Sequence, residues 1–138
     1  MITGDNSLTA ISVARSLAMT RSPSVQLIDQ HTMTIVTKKS IGKAQDLNWD
    51  QVFAENWDIA LTGNAFESVL RSGDPILKKQ VVERCSVYAR TTPLQKADII
   101  AALKSTGHTV AMVGDGANDS GKSWSFFFFL SEMCIHSY

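Results

Sequence analysis

The chain has 138 residues, 44% hydrophobic and 19% charged, and its 13 basic and 13 acidic side chains leave a formal net charge of zero. That length fits one domain, and the balanced charge offers no basic stripe of the kind that grips nucleic acid. The two cysteines, Cys85 and Cys134, lie far apart with no metal-type spacing and read as free thiols of a reducing compartment, not a disulfide framework, and no stretch reaches the roughly 20 apolar residues that span a bilayer.

Met1 to Asn6 reads as the end of a strand turning into a helix, with Asp5 or Asn6 capping the free amides of its first turn. Leu8, Ile11, Ala14, Leu17 and Ala18 share one helical face, which is expected to be buried, and Arg15 and Ser16 fall off it. Strand, glycine turn and amphipathic helix in this order build a mononucleotide-binding type of unit. The start of such a helix offers amides and a positive dipole end to an anion, although an ordinary strand-to-helix loop carries the same signature.

Between Thr20 and Asn56 the pattern weakens, and the stretch reads as an insertion on one edge of a sheet. Ser22-Pro23 marks a turn. Val25 to Ile28 and Met33 to Val36 are short strands joined by Asp29-Gln30-His31, with His31 as a surface turn residue. Trp49, Val52 and Phe53 form a small helix capped by Asn48. Asp58 to Thr62 is a second buried strand, followed by a helix carrying Ala65, Phe66, Val69 and Leu70, with Asn64 and Glu67 at capping-box spacing. Asp74-Pro75 starts another helix, with Ile76, Leu77 and Val81 as core residues, and Cys85 to Ala89 is a third strand.

Arg90 to Lys96 is more informative. Thr92 is a good N-cap, Pro93 fits the first helical position, and Gln95 closes a capping box. The helix runs to about Ser105, stops at Gly107, and carries Leu94, Ala97, Ala101 and Leu103 at helical spacing. Lys96 stands in the first turn, where the helix dipole disfavours a cation. A lysine held there against a phosphate makes electrostatic sense; a solvated surface lysine fits equally well.

A buried parallel strand, Thr109 to Val113, then ends abruptly in Gly114-Asp115-Gly116-Ala117-Asn118-Asp119. Two carboxylates at the carboxyl end of such a strand lie where ligands bind in open α/β sheets. Hard oxygen donors there suit Mg²⁺, which takes one or two carboxylates plus substrate phosphate. A hydroxyl with backbone amides at Thr3-Gly4, a lysine at Lys96 and the carboxylate pair Asp115 and Asp119 are the groups that phosphoryl transfer requires. The nucleophile is missing. No Asp-Lys-Thr-Gly-Thr stretch or Asp-x-Asp pair follows a strand, Asp5 belongs to the glycine turn, and Asp58 begins a strand where a nucleophile ends one.

Thr3-Gly4-Asp5-Asn6, Ala89-Arg90 through Pro93-Leu94-Gln95-Lys96, and the hexamer from Gly114 to Asp119 together resemble the haloacid-dehalogenase-like phosphorylation domain of P-type ATPases. The resemblance covers about residues 1–121 and implies an incomplete α/β fold, a Rossmann-like parallel sheet with flanking helices. Ser120-Gly121, Ala117 within the hexamer, the Leu61-Thr62-Gly63 element and the long insertion are most similar to type V members. The cation- and polyamine-transporting branch of endosomes and lysosomes is nearer than the endoplasmic-reticulum branch.

The resemblance implies ATP and Mg²⁺ as cofactors. It makes Asp115 the metal ligand, with Asn118 and Asp119 organising the site. Lys96 then holds the phosphoryl group, Thr3 and Gly4 contact it, and Asp5 lies near the nucleotide. It further implies that the nucleophile segment, the nucleotide-binding domain and the membrane helices belong to a parent transporter, with this segment on the cytosolic side. A soluble phosphatase of the same superfamily, or a non-catalytic product that binds Mg²⁺, are the alternatives. Residues 122–138, Lys-Ser-Trp-Ser-Phe-Phe-Phe-Phe-Leu and onward, replace the expected continuation and have no amphipathic period. They are expected to be intron read-through, since Gly121-Lys122-Ser123 is encodable as a splice-donor-like string; a spliced transcript that still encodes the tail disproves this.

Overall fold

A computed structural model of the chain describes residues 1–110. Its elements in order are α1 (Ser7–Ser16), β1 (Val25–Asp29), β2 (Thr32–Val36), β3 (Gln45–Asp46), α2 (Trp49–Ala54), β4 (Asp58–Thr62), α3 (Gly63–Arg71), α4 (Pro75–Arg84), β5 (Cys85–Ala89) and α5 (Pro93–Ser105). The five strands form one sheet in the order β3-β2-β1-β4-β5. β1, β4 and β5 run parallel, as an α/β fold of the haloacid-dehalogenase-like kind requires. The sheet is mixed, however: β2 and β3 turn back antiparallel against β1 and against each other. The hairpin from β1 to β2 closes through Gln30 and His31, with Gln30 at φ 49°, the left-handed conformation that a two-residue hairpin turn needs. His31 is exposed there.

Successive residues of a strand point to opposite faces, and the core is split accordingly. Ile59, Leu61 and Tyr88 join Ile28 and Met33 against Val52, Phe66, Val69, Val81, Val82, Ile99 and Ala102, so α2 to α5 cover one face. Ala60, Val87, Ala89, Val25 and Val36 pack against Ala10, Ile11 and Ala14, so α1 covers the other.

Several helix starts follow the sequence. Asn48 accepts from the amides of Asp50 and Gln51, Asp74 from those of Ile76 and Leu77, and Thr92 and Gln95 close their capping box. At the start of α3 the outcome differs. The cap is Thr62, whose Oγ1 accepts from Ala65 N at 3.2 Å and donates to Asp29 Oδ1 at 2.8 Å, so Asn64 lies inside the helix.

The buried helix faces also differ from the expected ones. In α1 the buried row is Ser7, Ala10, Ile11 and Ala14, while Leu17 is 64% exposed and Leu8 39%. Small residues let this helix approach the sheet, and the larger leucines are turned away. In α5 the inward row runs from Gln95 through Ile99 and Ala102, leaving Leu94 80% exposed and Ala101 exposed. The capping box points Gln95 inward, and Leu94, one residue earlier, therefore faces out. Ile76 is likewise exposed, while Val81 is buried.

At the end of α5, Gly107 (φ 89°) donates to Lys104 O and His108 N to Leu103 O, the paired bonds of a Schellman motif. Residues 108–110 are not in a strand, and the rest of the expected strand, 111–113, lies outside the described residues.

Candidate functional site

Met1 to Thr3 lies beside β5 in parallel. The Met1 amino group donates to Ser86 O (2.8 Å), Tyr88 N to Met1 O (2.7 Å) and Thr3 N to Tyr88 O (2.9 Å). Just beyond, the chain turns. Asp5 N donates to Thr3 Oγ1 at 3.1 Å, and that hydroxyl in turn donates to Asp5 Oδ2 at 3.0 Å. Asn6, not Asp5, caps α1, its Oδ1 accepting from Leu8 N at 2.9 Å. Asp5 is thereby left exposed on the turn with its carboxylate against the Thr3 hydroxyl.

Three bonds tie this turn to the loop that opens α5. Arg90 N donates to Asp5 O (3.0 Å), Thr91 N to Thr3 O (3.1 Å), and Thr91 Oγ1 to the same Thr3 oxygen (2.9 Å). Arg90 sits at φ 51°, a conformation that a side-chain-bearing residue adopts only when its surroundings fix it. Thr91 is buried. The loop then enters α5, where Lys96 is half-buried in the first turn and its amide donates to Thr92 O at 2.9 Å.

Of the residues singled out in the sequence, Thr3, Gly4, Asp5 and the helix start bearing Lys96 are thus gathered at one end of the sheet. Asp115, Asn118 and Asp119 lie outside the described residues. Gly4 has no left-handed φ, and a Cβ there would meet only Thr91 O, at 3.6 Å. Neither conformation nor packing among the described residues demands glycine at this place. The described residues hold no cluster of three metal-ligating side chains.

Thr91 escaped the sequence reading because its partner is 88 positions away. On β5, burial pushes the Cys85 thiol up to about 12, and burial beside Cys85 raises the Tyr88 phenol as well. Cys85 Sγ donates to Val87 O, and this half-buried thiol packs against the core.

The described residues thus form an α/β sheet, parallel at its centre, with a threonine-glycine turn and a lysine-bearing helix start at one end. No family model matches the chain. It is 33% identical over 139 residues to the cation-transporting ATPase catp-5 of Caenorhabditis elegans, covering 86% of this chain and 12% of that protein. It is 33% identical over 128 residues to the endoplasmic reticulum transmembrane helix translocase of Schizosaccharomyces pombe, covering 88% and 10%. Calcium-transporting ATPase 1 of the same yeast is 36% identical over 120 residues, covering 87% and 10%. The chain belongs to the P-type ATPases, with type V cation- and polyamine-transporting members among its relatives. It spans about a tenth of the length of the curated relatives it matches. No helix among the described residues is long and apolar enough to cross a membrane.

Proposed function

We propose that residues 1–121 are the C-terminal part of the phosphorylation domain of an ATP-driven, type V cation or polyamine transporter. In this reading Lys96 neutralises the transferring phosphoryl group, while the Thr3 hydroxyl and the backbone at Gly4 hold its oxygens. Asp5 lies toward the nucleotide. Asp115 and Asp119 hold Mg²⁺, with Asn118 as a neutral donor beside them. The bound ion offsets charge on the phosphate oxygens. The nucleophilic aspartate, the nucleotide-binding domain and the membrane helices come from the rest of the parent protein. The segment faces the cytosol at an endosomal, lysosomal or endoplasmic-reticulum membrane. Residues 122–138 lie outside this unit.

The observation that carries this reading is the set of three bonds joining the Thr3–Asp5 turn to Arg90 and Thr91 at the start of the Lys96 helix. Two stretches nearly ninety residues apart are fixed against each other where a phosphate would need both.

Labelled ATP supplies the test. The chain alone incorporates no acid-stable phosphate, because acid–base and metal-binding groups without a nucleophile form no covalent intermediate. The longer ATPase carrying this segment does incorporate it, and Lys96→Ala slows that step by about 10²–10³-fold, the usual cost of one charge-stabilising donor. Incorporation into the chain alone, lost on Asp115→Asn, contradicts the reading. So does a full phosphorylation rate in the Lys96→Ala transporter.

A further inference from the structure

The Leu61-Thr62-Gly63 element sits against the start of α5. A Cβ on Gly63 would overlap Gln95 Oε1 and stand 2.8 Å from Gln95 Cδ and 3.0 Å from Arg90 O. Gly63 is helical and buried, so space and not backbone conformation requires glycine here.

The group filling that space is the Gln95 carboxamide. Its Oε1 accepts Thr92 N–H at 3.0 Å, closing the capping box of α5, and its Nε2 donates to Glu67 Oε2 at 3.3 Å. The other oxygen of Glu67 pairs with Arg71, one turn further along α3. One glutamine side chain therefore joins α3 to the first turn of α5, and Lys96 is the next residue. The carbonyl of Arg90, the residue held at positive φ, borders the same space that a Cβ on Gly63 would enter.

We propose that Gly63 and Glu67 form a seat for Gln95 and are positioning residues for Lys96. The seat fixes the rotation and height of the first turn of α5, and so the place from which the Lys96 ammonium reaches a phosphate. The inference rests on the phosphate-facing role proposed for Lys96. A methyl at Gly63 drives the carboxamide out of both of its bonds at once. Removing the Glu67 acceptor frees one end of it.

Two measurements keep the inference separate from the reading beneath it. In the chain itself, hydrogen exchange at the Thr92 amide reports the seat: Gly63→Ala accelerates it by about tenfold, as loss of a local closing bond predicts. In the longer ATPase, Gly63→Ala and Glu67→Ala slow phosphorylation from labelled ATP by about tenfold or more, with apparent ATP affinity unchanged, because the defect is one of placement. Glu67→Gln, which keeps an acceptor oxygen for Gln95, retains the parental rate. Unchanged exchange at Thr92 in Gly63→Ala overturns the seat. A full phosphorylation rate in Gly63→Ala and Glu67→Ala, alongside a slow Lys96→Ala enzyme, overturns the positioning role alone. A full rate in Lys96→Ala overturns the underlying reading, whatever the exchange result.

Discussion

On one face of the sheet Phe66, Ile28, Met33, Ile59, Leu61 and Ile99 are each no more than 2% exposed, and four helices share the work of covering them. On the other, α1 is the one helix among the described residues that meets the sheet, through Ala10 and Ala14 against Ala60 and Ala89, with Ile11 as its largest buried side chain. The first face is filled by volume, with Phe66 and Tyr88 edge to face at 5.5 Å between ring centroids. The second is closed by proximity, since alanines let two backbones approach. The site draws on both: α5 belongs to the filled face, while the Thr3–Asp5 turn leads into α1 on the close-packed one.

Opposite substitutions separate the two modes. Truncation hurts most on the filled face: Phe66→Ala is expected to lower unfolding free energy by about 3–5 kcal/mol in a denaturant titration. Enlargement hurts the other: Ala60→Leu is expected to cost about 1–3 kcal/mol by the same measurement, as an overpacked contact does. A neutral Ala60→Leu means that α1 is loosely seated and removes the contrast.

The end of α1 allows a gain. Ala18 takes the left-handed place (φ 54°) of a Schellman motif, with Ala18 N donating to Arg15 O and Met19 N to Ala14 O. Glycine is the natural residue there, and relief of the left-handed strain, about 1–2 kcal/mol for a residue with a Cβ, outweighs glycine's entropic cost, so Ala18→Gly is expected to stabilise by up to about 1 kcal/mol; a lower melting temperature in that variant refutes the assignment.

The smallest effect near neutral pH grows in alkali and belongs to the filled face. The Cys85 thiol ordinarily titrates at 9.0 and is held up to about 12 by burial. The folded state therefore keeps its proton more tightly than the unfolded state. The stabilisation is complete below pH 9 and is lost as pH rises toward 12. The Tyr88 phenol, raised by burial and by Cys85, acts in the same direction. Melting temperature should fall across that window, less steeply in Cys85→Ala, and equal slopes in the two proteins count against the assignment.

What was legible in the sequence was local. β4, β5, the Asn48, Asp74 and Thr92 caps and the hairpin at Gln30-His31 all depend on residues within a few positions of one another. Choices made across the fold were not legible. Thr62 displaces Asn64 as the α3 cap because its hydroxyl also reaches Asp29, a residue on another strand. Leu94 faces out because Gln95 is drawn toward Gly63 and Glu67. Arg15, which sequence spacing places off the buried face, anchors the end of α1 instead, donating to Val36 O (2.7 Å), Thr37 O (3.2 Å) and Pro23 O (3.3 Å). The same holds for the site. Thr3, Gly4 and Lys96 are recognisable by type and order, whereas Thr91 and Gly63 acquire meaning only when the partners that crowd them are in place.

The bond from Thr91 Oγ1 to Thr3 O spans 88 positions. On a ribosome adding about 5–20 residues per second, Thr3 waits some 4–18 seconds before its partner has been made. For that interval α1 can form locally, but the turn before it has neither Arg90 nor Thr91 to hold it. The corner where the Thr3–Asp5 turn meets Arg90 and Thr91 is therefore among the last features of residues 1–110 to be assembled, closing only after all five strands of the sheet have been synthesised.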